Sequence, residues 1–567
     1  MDSNLRINFV LAAFLLLAVL VMGRLFYWQV LASDQLSAAA ESQHWISFEI
    51  PAKRGQILAS DGFPLVTNEE AFLVFASIPD LKEKPEEIAF KLAPLLASPS
   101  AQLATEKRIK ERLSRSDLVW IPLKHKISRE TKEILEKLEI EGIGFKEEQK
   151  RGYPEASSAA HLLGFVGSDL HGRDKGYFGL EGYYDLELRG KPGFLRRERD
   201  ASGKPILVGE SKGEKEKNGR DLITTLDRSV QFIIEKKLKE GLRRYGAVSG
   251  SVVVMEPKTG AILGMASLPS YDPANFSQFD KKLFPNPVVA SSYEPGSTFK
   301  VLVMSAALNE GVVKPETRCN HCSGPRHISG YTIRTWNDQY YPETTMTEII
   351  EHSDNVGMVF VGEKLGVEKL VTYLQKFGLG QPTGIDLEEE ISPDLRPKSE
   401  WKPIDLATAS FGQGVAVTPI QMLRAVSAIA NQGKLMRPFV VKKVVSGEEV
   451  VEIAPKVEKE VIFPTTARLM TEMMVNAVEK GEAKWARPKG FRIAGKTGTS
   501  QIPVAGHYDE EKTIASFVGF APADEPKFSM LVALREPTSS PWGSETAAPL
   551  WFDIAKELFT YYGILPK

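Results

Sequence analysis

An apolar run near the start of the chain limits the possible fold more than any other feature. Ile7 to Gly23 is almost wholly apolar, Arg24 interrupts, and Leu25-Phe-Tyr-Trp28 resumes with aromatic side chains typical of membrane interfaces. As a helix, Ile7–Val30 is about 36 Å long at ~1.5 Å per residue, enough to cross a bilayer with some tilt. Arg24 can extend its charge to the headgroups beside Tyr27 and Trp28. The run is long for a cleaved signal peptide, and no A-x-A site follows it directly. A helix buried in a core is the plainer alternative. We read the span as a retained single-pass anchor. Arg6 against Asp2 on one side, and the more distant Lys53 and Arg54 on the other, orient it only weakly.

The 567 residues suffice for roughly three or four domains. A net charge of -2 with 25% charged residues excludes a basic nucleic-acid binder. Two cysteines exclude a disulfide scaffold. Residues 50–215 have mixed strand and loop character. The stretch Pro51–Gly62 reads as a short strand ending in an Asp-Gly turn. The spacing of Leu, Ile and Ala predicts helix over 84–115 and 128–139. Gly164–Gly167 and Gly179–Gly190 are glycine-punctuated and bring no catalytic constellation, which favours a folded spacer or interaction domain. Gly209–Arg220, nearly all charge and glycine, reads as a solvated loop. A strand Asp221–Asp227 and a helix over about 228–243 then mark a boundary near 220–245.

The chemistry lies further on. In Glu294-Pro-Gly-Ser-Thr-Phe-Lys300, Pro295 and Gly296 break the preceding structure and a run of helix formers follows as far as Gly311. This places Ser297 in the first turn of a helix and Lys300 one turn later on the same face, where the amine can reach the hydroxyl. The positive end of the helix disfavours a protonated lysine there. A neutral lysine beside a serine is a general base for a nucleophile. Ser353-Asp354-Asn355 falls between predicted helices Thr345–His352 and Val356–Leu365, so Ser353 and Asn355 stand on a connection facing a cleft. Lys496-Thr497-Gly498-Thr499 reads as a strand whose glycine leaves room beside it, an edge along which a peptide-like substrate can pair. The strands Ala515–Ala521 and Lys527–Leu534 extend that sheet, and a helix over 547–561 covers one face. A second K-T-G, Lys258–Gly260, belongs to a turn between two strands in 251–270. A second S-x-x-K, Ser399 to Lys402, is followed by Pro403, which disfavours helix at Lys402. Each triplet alone is weak; in this order and context the three form a strong signal.

With these motifs the chain resembles the class B penicillin-binding proteins, the serine D,D-transpeptidases of peptidoglycan synthesis. The resemblance extends to Arg54–Gly62, Arg151-Gly-Tyr-Pro154, His161–Gly164, Gly179–Glu181 and Leu188–Gly190 in the family's pedestal, and to Ala266–Pro273 and Ser410–Gln421 in its catalytic domain. It is nearest the division-type members. It implies a mixed α/β (α+β) fold: residues 1–31 as a short cytoplasmic tail and transmembrane anchor, 32–220 as the pedestal, and 221–567 as the transpeptidase domain with a central antiparallel sheet.

The implied reaction is a two-step acyl transfer. Ser297 attacks the carbonyl between the two D-alanines of a stem peptide, and Lys300 takes its proton. Backbone N–H groups of Ser297 and Thr499 form the oxyanion hole. Ser353 relays a proton to the leaving D-alanine with Lys496 nearby, and Asn355 binds the substrate amide. Lys496, Thr497 and Thr499 hold the terminal carboxylate on the strand that Gly498 keeps open. β-Lactams would trap Ser297. No metal or organic cofactor is needed. The resemblance also implies an extracytoplasmic catalytic domain on the cell membrane, alongside cell-wall synthesis or divisome proteins. The E-D-x-x-F-x-x-H signature of bifunctional members is absent, so glycan polymerisation falls to a separate, membrane-embedded partner. The rivals are a β-lactam hydrolase or sensor of the same fold and a non-catalytic cell-wall scaffold. Cys319-Asn-His-Cys322, with His321 and His327 nearby, fits a disulfide or thiol pair without catalytic role better than zinc, which normally takes four ligands.

Overall fold

The computed structural model describes residues 3–37, 45–115, 117–170, 172–198, 211–504 and 507–567, which fall into two compact units. The first unit comprises residues 1–54 and 189–219. Its N-terminal helix Ser3–Phe26 continues into a π-helical turn, Tyr27–Leu31. Residues 4–31 are all exposed, so among the described residues nothing within this unit buries the apolar helix. The Arg24 guanidinium lies 4.8 Å from the Trp28 ring centre and 5.5 Å from that of Tyr27, the grouping expected at an interface. The strands Trp45–Ile50, Gly193–Glu198 and Ser211–Glu214 form a small antiparallel sheet. The charged stretch expected to be a loop over 209–220 thus contains a strand from Ser211 to Glu214: its backbone pairs while the Glu214 side chain is exposed. Residues 209 and 210 lie outside the described residues.

The second unit comprises residues 55–188 and 220–567. In its N-terminal part the long strand Pro64–Ser77 pairs with Ile143–Gly152 and Trp120–Ile127. The helical region expected over 84–115 is two helices, Pro85–Leu96 and Gln102–Leu113. Pro99 explains the break, because the residue before a proline is pushed out of helical backbone and Ser98 is extended at ψ 155°. Ile88, Leu92, Ile109 and Leu113 close over Phe72 and Val74 of the long strand. The Arg-Gly-Tyr-Pro and Gly-Leu-Glu segments meet: Arg151 Nε donates to Glu181 Oε1 at 2.8 Å, and both residues are buried. The sheet continues through Ile57–Leu58, parallel to Asp221–Thr224, and on to Val441–Ser446, so both parts of this unit share one set of backbone hydrogen bonds.

A five-stranded antiparallel sheet forms the C-terminal core, in the spatial order Ile262–Leu268, Ser249–Met255, Phe528–Arg535, His507–Ala521, Ala494–Val504. Both faces are covered, which is why Val252-Val-Val-Met255 is apolar without alternation. Val252 and Val254 pack with Trp551 and Phe552 of the terminal helix Ala547–Tyr561; Val253 and Met255 face the opposite cluster of helices. That cluster surrounds Lys300–Asn309, whose residues through Leu308 are all buried, as expected for a helix apolar all round.

Candidate active site

Ser297 lies in a single 3-10 turn, Gly296–Phe299, that leads into the buried helix Lys300–Asn309. Several contacts fix the turn. Gly296 N donates to Gly412 O at 3.0 Å, and Thr298 Oγ1 donates to Pro295 O at 2.7 Å. Gly412, at φ 85°, approaches so closely that a Cβ on it would lie 2.1 Å from Gly296 O. The Ser410–Gln421 segment thus underlies the nucleophile turn. Ser297 itself is half-buried between buried neighbours, Gly296 and Thr298.

Lys300 is completely buried, and its ammonium donates three hydrogen bonds: to Ser353 O at 2.6 Å, Ser353 Oγ at 3.2 Å and Asn355 Oδ1 at 2.7 Å. The predicted contact with Ser297 differs, since no hydrogen bond joins the two side chains among the described residues. All three donors point instead to the Ser-Asp-Asn segment. Burial drives the Lys300 amine well below the ordinary lysine range, and the charge of Lys496 acts in the same direction. Asp354 and Glu482 oppose them.

Ser353 occupies the connection between the helices Met346–Glu351 and Asn355–Leu365. Its backbone is left-handed, φ 57°, a costly conformation for a side-chain-bearing residue. Its carbonyl and hydroxyl both accept from Lys300. Asp354 caps the second helix through Gly357 N at 3.0 Å, and burial raises its carboxyl. Asn355 was expected on the connection; it is the first residue of the helix, because the Asp354 cap starts the helix one residue early. Its amide spans two partners, accepting from Lys300 and donating to Arg334 O at 3.1 Å.

Lys496, Thr497, Gly498 and Thr499 lie on Ala494–Val504, the edge strand of the five-stranded sheet, as the sequence predicts. Lys496 is 3% exposed, and burial lowers its amine while Glu482 raises it. Its Nζ donates to Thr497 Oγ1 at 3.1 Å, and Thr497 Oγ1 donates to Glu482 Oε2 at 3.3 Å. Thr499 Oγ1 accepts from Gly543 N at 2.9 Å. Gly498 lies against the nucleophile turn: a Cβ there would be 2.8 Å from Thr298 Cγ2 and 3.0 Å from Pro295 O. The fold therefore brings residues 297 to 300, 353 to 355 and 496 to 499 together from three elements.

Three side chains at the site escaped the sequence reading. Glu482 follows the helix Pro464–Lys480 in a mixed-charge stretch with no motif. Trp336 and Trp542, partly exposed, meet edge to face with ring centres 5.3 Å apart. Trp336 Nε1 donates to His352 O at 3.3 Å, next to Ser353, while Trp542 precedes Gly543, the partner of Thr499. The rings thus bridge the Ser353 side and the Thr499 side; no sequence signal marks them, since both lie far along the chain from the motifs they join. Cys319 and Cys322 form a disulfide with Cα atoms 5.7 Å apart, and the rejected Lys402 lies outside any helix, at the cap of Pro403–Ala409.

Residues 250–559 match the penicillin binding protein transpeptidase domain, and residues 49–224 match the penicillin-binding protein dimerisation domain. The chain is 35% identical to stage V sporulation protein D of Bacillus subtilis, over 99% of this chain and 86% of that protein. It is 30% identical to the peptidoglycan D,D-transpeptidase FtsI of Escherichia coli, over 95% of this chain and 88% of that protein. A peptidoglycan synthetase from Bifidobacterium adolescentis superposes with a TM-score of 0.73 at 26% identity, covering 92% of this chain and 98% of that one. Penicillin binding protein 3 from Mycobacterium tuberculosis, complexed with aztreonam, superposes with a TM-score of 0.70 at 25% identity, covering 92% and 98%. With both domains matched and relatives aligned along nearly its whole length, the chain belongs to the class B penicillin-binding proteins, of the type represented by FtsI and stage V sporulation protein D.

Proposed function

We propose that this D,D-transpeptidase carries its acyl group on Ser297, with Lys300, Ser353 and Lys496 moving protons and charge around it. The observation that carries this reading is the position of Lys300, buried beneath the nucleophile turn with all three donors on Ser353 and Asn355. Its burial favours the neutral amine, which keeps two N–H donors on these acceptors and frees a lone pair that can take the Ser297 proton. Ser297 Oγ bonds to the carbonyl carbon of the penultimate D-alanine, and the C–N bond to the terminal D-alanine breaks. Ser353, hydrogen-bonded to Lys300 Nζ, passes the proton to the leaving amine. Backbone N–H groups of Ser297 and Thr499 stabilise the oxyanion; the close packing of Gly296 on Thr499 O puts the two segments side by side. Lys496, Thr497 and Thr499 bind the terminal carboxylate, Asn355 the stem-peptide amide, and Gly498 leaves space for the turn. A second stem peptide's amine then takes the acyl group and restores Ser297.

The organisation we propose is an anchor in residues 1–31, a pedestal over 32–220 and a transpeptidase domain over 221–567. The exposed apolar helix supports a single-pass anchor with the catalytic domain outside the cytoplasm, where its substrate is. The name of the Bacillus subtilis relative supports a role in sporulation. We propose septal cell-wall synthesis as the setting, beside a membrane-embedded glycan polymerase and other cell-wall synthesis or divisome proteins. The test is time-resolved labelling with a fluorescent penicillin on the wild type and Ser297→Ala. A long-lived adduct lost in the variant is expected. An adduct that turns over would replace the reading with a hydrolase, and folded wild type without any adduct would leave a scaffold.

A further inference from the structure

The two buried lysines of the site differ in how their charge is met. Lys300 has three acceptors and the nearby Asp354 carboxyl. Lys496 is nearly as buried, yet among the described residues its ammonium makes one hydrogen bond, to the neutral hydroxyl of Thr497. No carboxylate lies within ion-pair distance of it among the described residues. A buried ammonium held by one neutral acceptor is poorly compensated.

Glu482 supplies what is missing at one remove. It follows Gly481, where a Cβ would lie 2.3 Å from Ala477 O and 2.8 Å from Glu351 O. Only a glycine lets the chain turn so tightly off the helix Pro464–Lys480, and that turn carries the next side chain over the edge strand. There Glu482 Oε2 accepts from Thr497 Oγ1 at 3.3 Å. Because the Thr497 hydrogen is directed to Glu482, the oxygen lone pair is left for Lys496, so the row Lys496–Thr497–Glu482 is polarised in one direction.

We propose that Glu482 is a positioning residue of the transpeptidase site, acting through the Thr497 hydroxyl to keep Lys496 cationic and ready for a substrate carboxylate. The proposal rests on the assignment of Ser297, Lys300 and Lys496 above. The charged groups that Glu482 acts on are Lys496 on the edge strand and Lys300 on the buried helix, and Lys300 also feels Asp354 and Lys496. Glu482 raises both amines, but the hydroxyl contact gives it a closer hold on Lys496. The reaction needs Lys300 neutral and Lys496 charged, so the second-order acylation rate should be bell-shaped in pH, with Lys300 on the acid limb and Lys496 on the alkaline limb.

Acylation by a fluorescent penicillin is measured on the full chain across a pH series from about pH 6 to about pH 10, below the ordinary lysine pKa. For Glu482→Gln the alkaline limb should move down by about one pH unit and the acid limb by less, narrowing the bell. Glu482→Asp should restore most of the width. Lys496→Arg should remove the alkaline limb, and adding Glu482→Gln to it should then move only the acid limb. A Glu482→Gln profile that keeps both wild-type limbs, scaled down or not, overturns the proposal, because a purely structural role changes height without moving limbs. If Glu482→Gln does not fold, Glu482→Asn against Glu482→Asp reads the same charge difference. Absence of any adduct on folded wild type would refute the site assignment instead.

Discussion

Gly498 tests the site most directly, because its requirement is space alone. Its backbone lies outside the left-handed region, so alanine costs nothing conformationally. The added Cβ would lie 2.5 Å from Ser516 Oγ, 2.8 Å from Thr298 Cγ2 and 3.0 Å from Pro295 O. Ser516 can rotate its hydroxyl away; Thr298 and Pro295 cannot yield separately, because Thr298 Oγ1 bonds Pro295 O at 2.7 Å and the two bracket Ser297. Comfortable carbon contacts begin near ~3.5 Å, so the nucleophile turn must retreat by roughly 0.5 to 1 Å. A misplacement of about 1 Å costs on the order of 100-fold in a positioned reaction. Gly498→Ala should therefore slow acylation by fluorescent penicillin by about 10- to 100-fold, equivalent to about 1.4–2.7 kcal/mol of barrier. Overpacking should also lower stability by about 1–3 kcal/mol. Acylation is read from the concentration dependence of labelling, and stability from thermal unfolding. Acylation within twofold of wild type in a folded Gly498→Ala would show that the turn and the edge strand do not need this spacing.

Two further outcomes follow from buried charge in the N-terminal part of the second unit. Arg151→Met leaves the fully buried Glu181 without its guanidinium and should cost about 3–5 kcal/mol in urea unfolding; a loss under about 1 kcal/mol would mean the pair is not buried in solution. His161 is buried with Nε2 2.9 Å from Leu283 O, and burial lowers its pKa from 6.5 to about 4. The unfolded chain takes up that proton first, so stability holds above pH 6.5 and falls as pH drops toward 4. The loss is about 3 kcal/mol at most, and unfolding of His161→Gln across this range should lack that part of the slope; an unchanged slope would refute the assignment.

The sequence was most legible where one local rule decides. Pro295 and Gly296 set the turn before Lys300, and a continuous apolar run sets a strand buried on both faces. It was least legible where two segments far apart in sequence must touch. Lys300 was expected to turn toward Ser297, a neighbour on its own helix; the fold gives it Ser353 and Asn355, because the left-handed backbone at Ser353 presents a carbonyl as well as a hydroxyl. The residues between Ser297 and Ser353 do not encode that contact by any period. The sharing of one sheet by Ile57–Leu58 and Asp221–Thr224 was hidden for the same reason, since each strand is short and its pairing is long-range.

Glu482 shows the limit most sharply. Within Glu479-Lys480-Gly481-Glu482 it looks like one more solvated charge at a helix end, the ordinary fate of such residues. What distinguishes it is the glycine before it, and that glycine matters because Ala477 O of the helix it leaves and Glu351 O of a different helix both stand in the way of a side chain. A motif search finds residues that do the same thing in every relative. It does not find a side chain whose effect depends on where one chain makes a tight turn, and a buried lysine with too few acceptors is the physical sign that such a side chain should be sought.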